Sequence, residues 1–356
     1  MCRALRSLLS QPSAHLGWPI RGGREPLWAG SRGLSSRHRA VTISDSACSG
    51  AEINRIWPRA FRSDGQRVTV AVGLVGPHRV PGHTRMATQM FEGKGHAAVY
   101  QKYRFAPGKE LQQTILTYLK EKRTSPVELV VDVGCGSGQG TRFLAEHFKK
   151  VVGTDISEAQ IQEAKDSATT PNVSYLVSPA EVLPLEDNSV DLITSFTAAH
   201  WFDLEKFMRE ANRVLKPGGC VVLCTYTLDM SLRYGNCSEK LTKVFRESWD
   251  QIFKYSHSRV KHVLEDYKEI FEALPFPDKK RITDIFDKIP MTVAGVVGYL
   301  ESVSPYQVYM KNDPEAAKSL LQEAEKRMLE TMGVSSRDTP VELWVRHVCV
   351  LGCKGQ

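Results

Sequence analysis

One ten-residue stretch restricts the fold of this chain more than any other. "VDVGCGSGQG", Val131 to Gly140, is an apolar run that meets an acid and then four glycines on alternate positions, Gly134, Gly136, Gly138 and Gly140. The run belongs to "VELVVDV", whose near-continuous hydrophobicity predicts a strand buried on both faces. "TRFLAEHF" follows the glycines, with Phe143, Leu144 and Phe148 on one helical face. A strand, a glycine turn and a helix in that order open a unit that holds a nucleotide.

The alternation continues on both sides of the turn. "FAPGKELQQTILTYLKEK" carries Leu111, Ile115, Leu116 and Leu119 at helical spacing, after a shorter helix near Gly95–Tyr103. "VVGTD", "VSYLV", "VDLITSF" and "GCVVLCTY" read as strands, separated by the helices "SEAQIQEAKDSA" and "LEKFMREANRVL". Ser157 and Gln160 fit a capping box, and "KPGG" is a helix stop. Strands alternating with helices predict an α/β fold with a parallel sheet covered on both faces. Beyond Tyr226 the pattern turns helical: two helices over residues 237–275, then "TVAGVVGYLESV" and "DPEAAKSLLQEAEKRMLETMG", with "RITDIFDK" a candidate strand and "VELWVRHVCVLG" a closing one. This places a helical insertion above the carboxyl ends of the sheet, where open α/β sheets bind ligands.

Charge divides the chain at a different point. Residues 1–85 hold 13 Arg, no Lys and 4 acids, whereas residues 86–356 carry a net charge of −2. The basic balance therefore belongs to the N-terminal segment, and the rest has no electrostatic footprint for nucleic acid or a membrane surface. No apolar run approaches the roughly 20 residues of a spanning helix. Residues 1–85 are expected to be a disordered extension without chemistry, either upstream of an ancestral start at Met86 or a mitochondrial presequence; the first makes the protein cytoplasmic, the second mitochondrial. Residues 86–356 form the working domain, with a cofactor-binding core over about 127–226 and substrate-side helices and closing strands over about 227–356. The eight Cys lack paired C-x-x-C spacing, so no metal site is expected. Cys220 and Cys224, like Cys349 and Cys353, lie four apart on a strand and read as buried thiols of a reducing compartment, with no disulfide framework.

The ligand of the turn follows from its acids. A dinucleotide fingerprint needs glycine or alanine where Gln139 stands, and no G-K-[ST] follows for a phosphate loop. Asp132 ends the first strand beside the turn; an anion there disfavours a pyrophosphate and suits a cationic ligand with an ammonium and a sulfonium. Asp155 ends the second strand and offers a carboxylate to both hydroxyls of a ribose. Together with "SPAEVLPLEDNSVDLITSFTAAHWFD" and "RVLKPGG", these features resemble the class I S-adenosylmethionine-dependent methyltransferases over about Tyr100 to Tyr226. The resemblance implies a Rossmann-like, mostly parallel seven-stranded sheet with helices on both faces and the helical insertion before the last two strands. It implies S-adenosyl-L-methionine as cofactor, bordered by Asp132, Gly134, Gly136, Gly138, Gln139, Asp155, Ala180, Glu181 and Phe196. "AAHWFD", "AAVYQKYRF" and "GYLESVSPYQVY" are similar to the trans-aconitate methyltransferase branch, which acts on small molecules; Val303 stands where that branch often has Trp.

Methyl transfer from a sulfonium is an in-line displacement with an excellent leaving group, so catalysis is mostly positioning and exclusion of water. A carboxylate acceptor, with a reference pKa of about 4, needs no base but does need a cationic clamp. An alcohol or ammonium needs a base, for which His200 after the fourth strand is the candidate; the alternative role is a pocket-wall histidine. Trp201 is read as an apolar or cation–π wall. Tyr100, Tyr103 and Arg104 lie on a segment able to fold over the cofactor or meet an acidic substrate. The leading expectation is a methyltransferase acting on an oxygen of a small molecule, with no nucleic-acid or membrane partner and the oligomeric state open. Competing classes are a protein or nucleic-acid methyltransferase and a non-catalytic cofactor-binding protein; "SFTAAHW" occupies the place where base N-methylation usually has N/D-P-P-Y/F.

Overall fold

The computed structural model describes residues 91–355 except Glu92 and Thr124. The expectations for residues 1–85 lie outside the described residues. The strands are β1 (Leu129–Val133), β2 (Lys150–Asp155), β3 (Val173–Val177), β4 (Val190–Phe196), β5 (Leu215–Arg233), β6 (Asp278–Thr292) and β7 (Pro340–Cys353). They form one seven-stranded sheet in the order β3-β2-β1-β4-β5-β7-β6. The β1–β5 pairings are parallel, and β7 runs antiparallel to both its neighbours. The sheet is Rossmann-like but mixed. Thr292 at the end of β6 lies opposite Pro340 at the start of β7, so the chain leaves and re-enters the sheet at one end and must reverse.

The helices are α1 (Lys94–Tyr103), α2 (Lys109–Lys122), α3 (Gln139–His147), α4 (Glu158–Asp166), α5 (Leu204–Val214), α6 (Ser238–Phe253), α7 (Lys261–Leu264), α8 (Lys268–Ala273), α9 (Val293–Ser302), α10 (Ser304–Asn312) and α11 (Pro314–Met332). The uninterrupted apolar strands are explained by their two faces. Val131, Val221, Leu223, Val348 and Val350 pack in a core with α5 and α8. Their strand neighbours Val130, Cys220, Val222, Cys349 and Leu351 pack in a second core with α2 and α3. The end of β5 and the start of β7 project beyond the parallel strands and carry a third core with α6, α9 and α11. The helical insertion is therefore split rather than lying wholly before the last two strands: α6–α8 precede β6 and α9–α11 follow it.

The thiol expectation is corrected at one pair. Cys220 and Cys353 form a disulfide, their Cα atoms 4.1 Å apart. Four-residue spacing does put each pair on one face, but β5 and β7 are neighbours, and their register sets Cys220 opposite Cys353 and Cys224 opposite Cys349. Cys224 and Cys349 are thiols with sulfurs 2.9 Å apart.

Two buried carboxylates brace the central strands. Asp132 on β1 accepts hydrogen bonds from Thr194 of β4 at 2.9 Å and Thr141 of α3 at 2.7 Å. Asp191, at the start of β4, accepts the N–H groups of Glu128 and Leu129, each at 3.0 Å, and pairs with Arg123 at 3.0 Å and Lys216 at 2.9 Å. Burial pushes the Asp191 pKa up, but the Leu129 N–H, the Lys216 ammonium and the Glu128 N–H outweigh it and hold the carboxyl below its usual range. Its stabilisation is thus present above the unfolded pKa of about 4 and lost as pH falls through the folded value. Asp191→Asn is expected to cost about 2–3 kcal/mol in urea unfolding at neutral pH, with the gap to wild type closing in acid. Equal unfolding midpoints at neutral pH would contradict this role.

Candidate cofactor and acceptor site

The glycine turn is set by hydrogen bonds to the next strand. Cys135 N–H donates to Thr154 O at 2.9 Å, and Gly136 N–H donates to Asp155 Oδ2 at 2.9 Å. Gly136 takes a φ of +53°, a left-handed conformation that side chains disfavour, and a Cβ there would touch the Tyr100 ring at 3.6 Å and Gln160 Oε1 at 3.7 Å. Gly140 is required for a different reason: a Cβ there would lie 2.2 Å from the Phe196 ring, so α3 packs its backbone directly on that ring. Gly138 caps α3 beside Tyr175.

Three neighbouring cavities open over the carboxyl ends of the parallel strands. The first, about 90 Å³, is walled by Gly134, Gly136, Asp155, Gln160, Glu181 and Phe196. The second, about 50 Å³, reaches Asp132, Gln139, Arg104, Cys224 and His347. The third, about 100 Å³, holds His200, Trp201, Trp249, Tyr299, Val303 and the guanidinium side of Arg104. Tyr100 and Thr197 line all three. A wider groove of about 840 Å³ along α9 and α11 shares none of these residues. Thr197, just past β4, has a φ of +58°, and its N–H donates to Cys224 O at 2.7 Å. Left-handed backbone at a β-branched residue costs on the order of 1–3 kcal/mol and clusters at functional positions.

The polar groups lining the first cavity match those an adenosine would need. Asp155 accepts Gly136 N–H on one oxygen and Ser157 N–H on the other, leaving lone pairs for two hydroxyls. Burial raises the Asp155 pKa, opposed by the N–H groups of Ser157, Gly136 and Ile156. The capping box forms by half: Ser157 Oγ accepts from Gln160 N–H at 3.3 Å, but Asp155 has taken the Ser157 N–H that Gln160 would have reached. Among the described residues, both amide atoms of the buried Gln160 side chain are left without a partner beside the cavity. An orphaned buried amide calls for an external donor and acceptor.

In the second cavity Asp132 is deeply buried, and burial lifts its pKa to about 7 against the two Thr hydroxyls, with Asp155 adding to the rise. Gln139 bonds Ser137 Oγ at 3.0 Å and Gln101 Oε1 at 3.3 Å, which ties the turn to α1. His347 lies 3.3 Å from Asp287, and burial outweighs that partner to bring its pKa down to about 4.

Arg104 closes the gap between the second and third cavities. It donates to the hydroxyl and carbonyl of Ser302 at 2.8 and 3.3 Å and to the Tyr226 hydroxyl. It lies 4.7 Å over the Tyr100 ring and 5.3 Å from that of Tyr299. Among the described residues no acidic side chain pairs with it. Tyr103 points elsewhere: its ring occupies the space over Gly298 of α9, and it lines none of the three cavities. Ala180 lies in the core beneath the first cavity rather than on its wall, while Glu181 accepts the Asp203 N–H at 2.8 Å.

His200 Nδ1 is 2.8 Å from the Tyr267 hydroxyl. Burial, followed by the charges of His262, Arg259 and Arg104, brings its pKa down to about 3, so the ring is neutral at physiological pH. Trp201 packs against Phe91, His200 and His257. Sequence reasoning passed over Gln160, Thr197, Phe91, His347, Trp249 and Tyr299. Thr197 was reachable as the residue that follows β4; the others have no local signal, because packing between distant elements brings them here.

Comparison with known proteins agrees with this arrangement. A methyltransferase domain family model matches residues 131–223. A methyltransferase-family protein of Dictyostelium discoideum is 32% identical over 244 residues, 67% of this chain and 86% of its own. The tocopherol O-methyltransferase of Arabidopsis thaliana is 31% identical over 164 residues, 42% of this chain and 47% of its own. The solved structure of a protein assigned as a type II methyltransferase from Anaeromyxobacter dehalogenans superposes with a TM-score of 0.56 at 26% identity, covering 71% of this chain and all of that one. With its strand-end carboxylate, glycine turn and cleft of this shape, the chain belongs to the class I S-adenosylmethionine-dependent methyltransferases.

Proposed function

We propose that this enzyme methylates an oxygen of a small molecule, a carboxylate, using a site that positions its acceptor without a protein base. The observation that carries the reading is the charge of the third cavity: the Arg104 guanidinium lines it beside neutral His200, and among the described residues no Asp or Glu does. Such a wall favours an anion over an amine. The Arabidopsis relative, by its name an O-methyltransferase of a small molecule, supports the same class. The aromatic enclosure by Tyr100, Trp201 and Trp249 fits a compact acceptor better than a protein or nucleic-acid strand.

S-adenosylmethionine, when bound, supplies a methyl group on a sulfonium. Asp155 and Gln160 hold the adenosine end, with Glu181 at its border. Asp132 and Gln139 flank the amino-acid end, and Arg104 reaches from there to the acceptor. Tyr100 and Trp201 exclude water around the reacting centre, which strengthens every charge–charge interaction within it. Because burial lowers the His200 pKa to about 3, it is a weak base at neutral pH and acts as a hydrogen-bonding wall fixed by Tyr267.

Two outcomes follow. Asp155→Ala is expected to weaken S-adenosylhomocysteine by about 50-fold or more in calorimetric titration, the loss of two hydrogen bonds to a charged group; an affinity within about twofold of wild type would refute the ribose assignment. His200→Gln is expected to keep kcat within about tenfold and to leave the inflections of the wild-type pH–rate profile, including one from Asp132, where they are. A loss beyond about 100-fold, together with removal of a wild-type inflection, would make His200 a base.

A further inference from the structure

The third cavity has an end that methyl transfer itself does not explain. Trp249 of α6 and Tyr299 of α9 stack there with ring centroids 6.1 Å apart. Both line the cavity, and among the described residues neither the Trp249 indole N–H nor the Tyr299 hydroxyl has a hydrogen-bond partner although both atoms are buried. Tyr299 as a residue is fully buried. An indole N–H is a donor only, so what it lacks is an acceptor atom. Burial raises the Tyr299 pKa, which keeps its hydroxyl protonated and able to donate. The Arg104 guanidinium lies 5.3 Å from the Tyr299 ring, and among the described residues no carboxylate pairs with it. Two orphan donors and an unpaired cation on one stretch of wall all lack the same thing, an anionic oxygen. Phe253, Val260 and Val263 supply the apolar remainder.

Resting on the reading of this cleft as the acceptor site, we infer that Trp249 and Tyr299, with Arg104 behind them, form the anchor for the carboxylate of a planar apolar acid. The donors are neutral and held by stacked rings, so they select by geometry, while the guanidinium selects by charge. An amide of the same shape offers one oxygen but no charge, and an amine offers neither.

The test uses the full-length protein loaded with S-adenosylhomocysteine. Benzoate, trans-cinnamate and 2-naphthoate are titrated calorimetrically, each beside its amide and the corresponding amine. At least one acid is expected to bind tenfold or more tightly than its amide and its amine. Trp249→Phe and Tyr299→Phe are each expected to weaken that acid about tenfold, which corresponds to about 1.4 kcal/mol. Both should leave the amide and S-adenosylhomocysteine within about twofold. Tyr299→Phe should melt at or above the wild-type temperature, because it removes an unpartnered hydroxyl. Absence of any preference for an acid, or a preference that survives both substitutions, overturns the anchor while the cofactor reading stands. Failure of S-adenosylhomocysteine to bind overturns the cofactor reading and the anchor with it.

Discussion

Two backbone N–H groups on one buried carboxylate determine where everything else in this cleft must lie. Asp155 receives Gly136 from the glycine turn and Ser157 from the start of α4. The first bond shapes the turn and so aims the N-terminus of α3. The second starts α4 and displaces the Gln160 side chain from its local capping role into the first cavity. A carboxylate buried with both oxygens engaged is costly unless its remaining lone pairs are used, and the ribose hydroxyls of the cofactor are suited to use them. Fold and ligand site are therefore joined at one side chain.

The second organising feature is electrostatic separation along the cleft. Carboxylates stand at the cofactor end, where Asp155 adds to the rise in proton affinity that burial gives Asp132. Cations stand at the acceptor end, where Arg104 and Arg259 help keep His200 neutral. Arg104 marks the boundary. It is held to α9 through Ser302 and faced by Tyr100 and Tyr299, so its position depends on α1 and α9 lying against each other. The packing of the Tyr103 ring over Gly298 serves that contact.

The parallel half of the fold was legible in the sequence because strands covered on both faces read as continuous apolar runs, and each is followed by a helix with clear end signals. The closing half was harder. The direction of β7 depends on which end of the sheet the chain re-enters after α11, and no local pattern encodes that. The same register decides that Cys220 meets Cys353, whereas four-residue spacing tells only that each pair shares a face. In the site, Asp132, Gly136 and Asp155 were readable because backbone geometry and charge restrict their residue types at fixed spacing. Gln160 was read as a cap because its neighbours fit one, and the competing acceptor, Asp155, stands five residues away. Trp249 and Tyr299 stand on two helices fifty positions apart in the sequence; only packing makes them neighbours.

The central claim is that the enzyme carries a methyl group to a small carboxylate. The most direct measurement incubates the full-length protein with S-adenosylmethionine labelled in its methyl group and a metabolite extract, then fractionates the products by size and treats them with mild base. Label in the small-molecule fraction that is released by base as methanol is the expected result, since a methyl ester hydrolyses under those conditions. Label retained by protein or nucleic acid, or a small product stable to base, would contradict it.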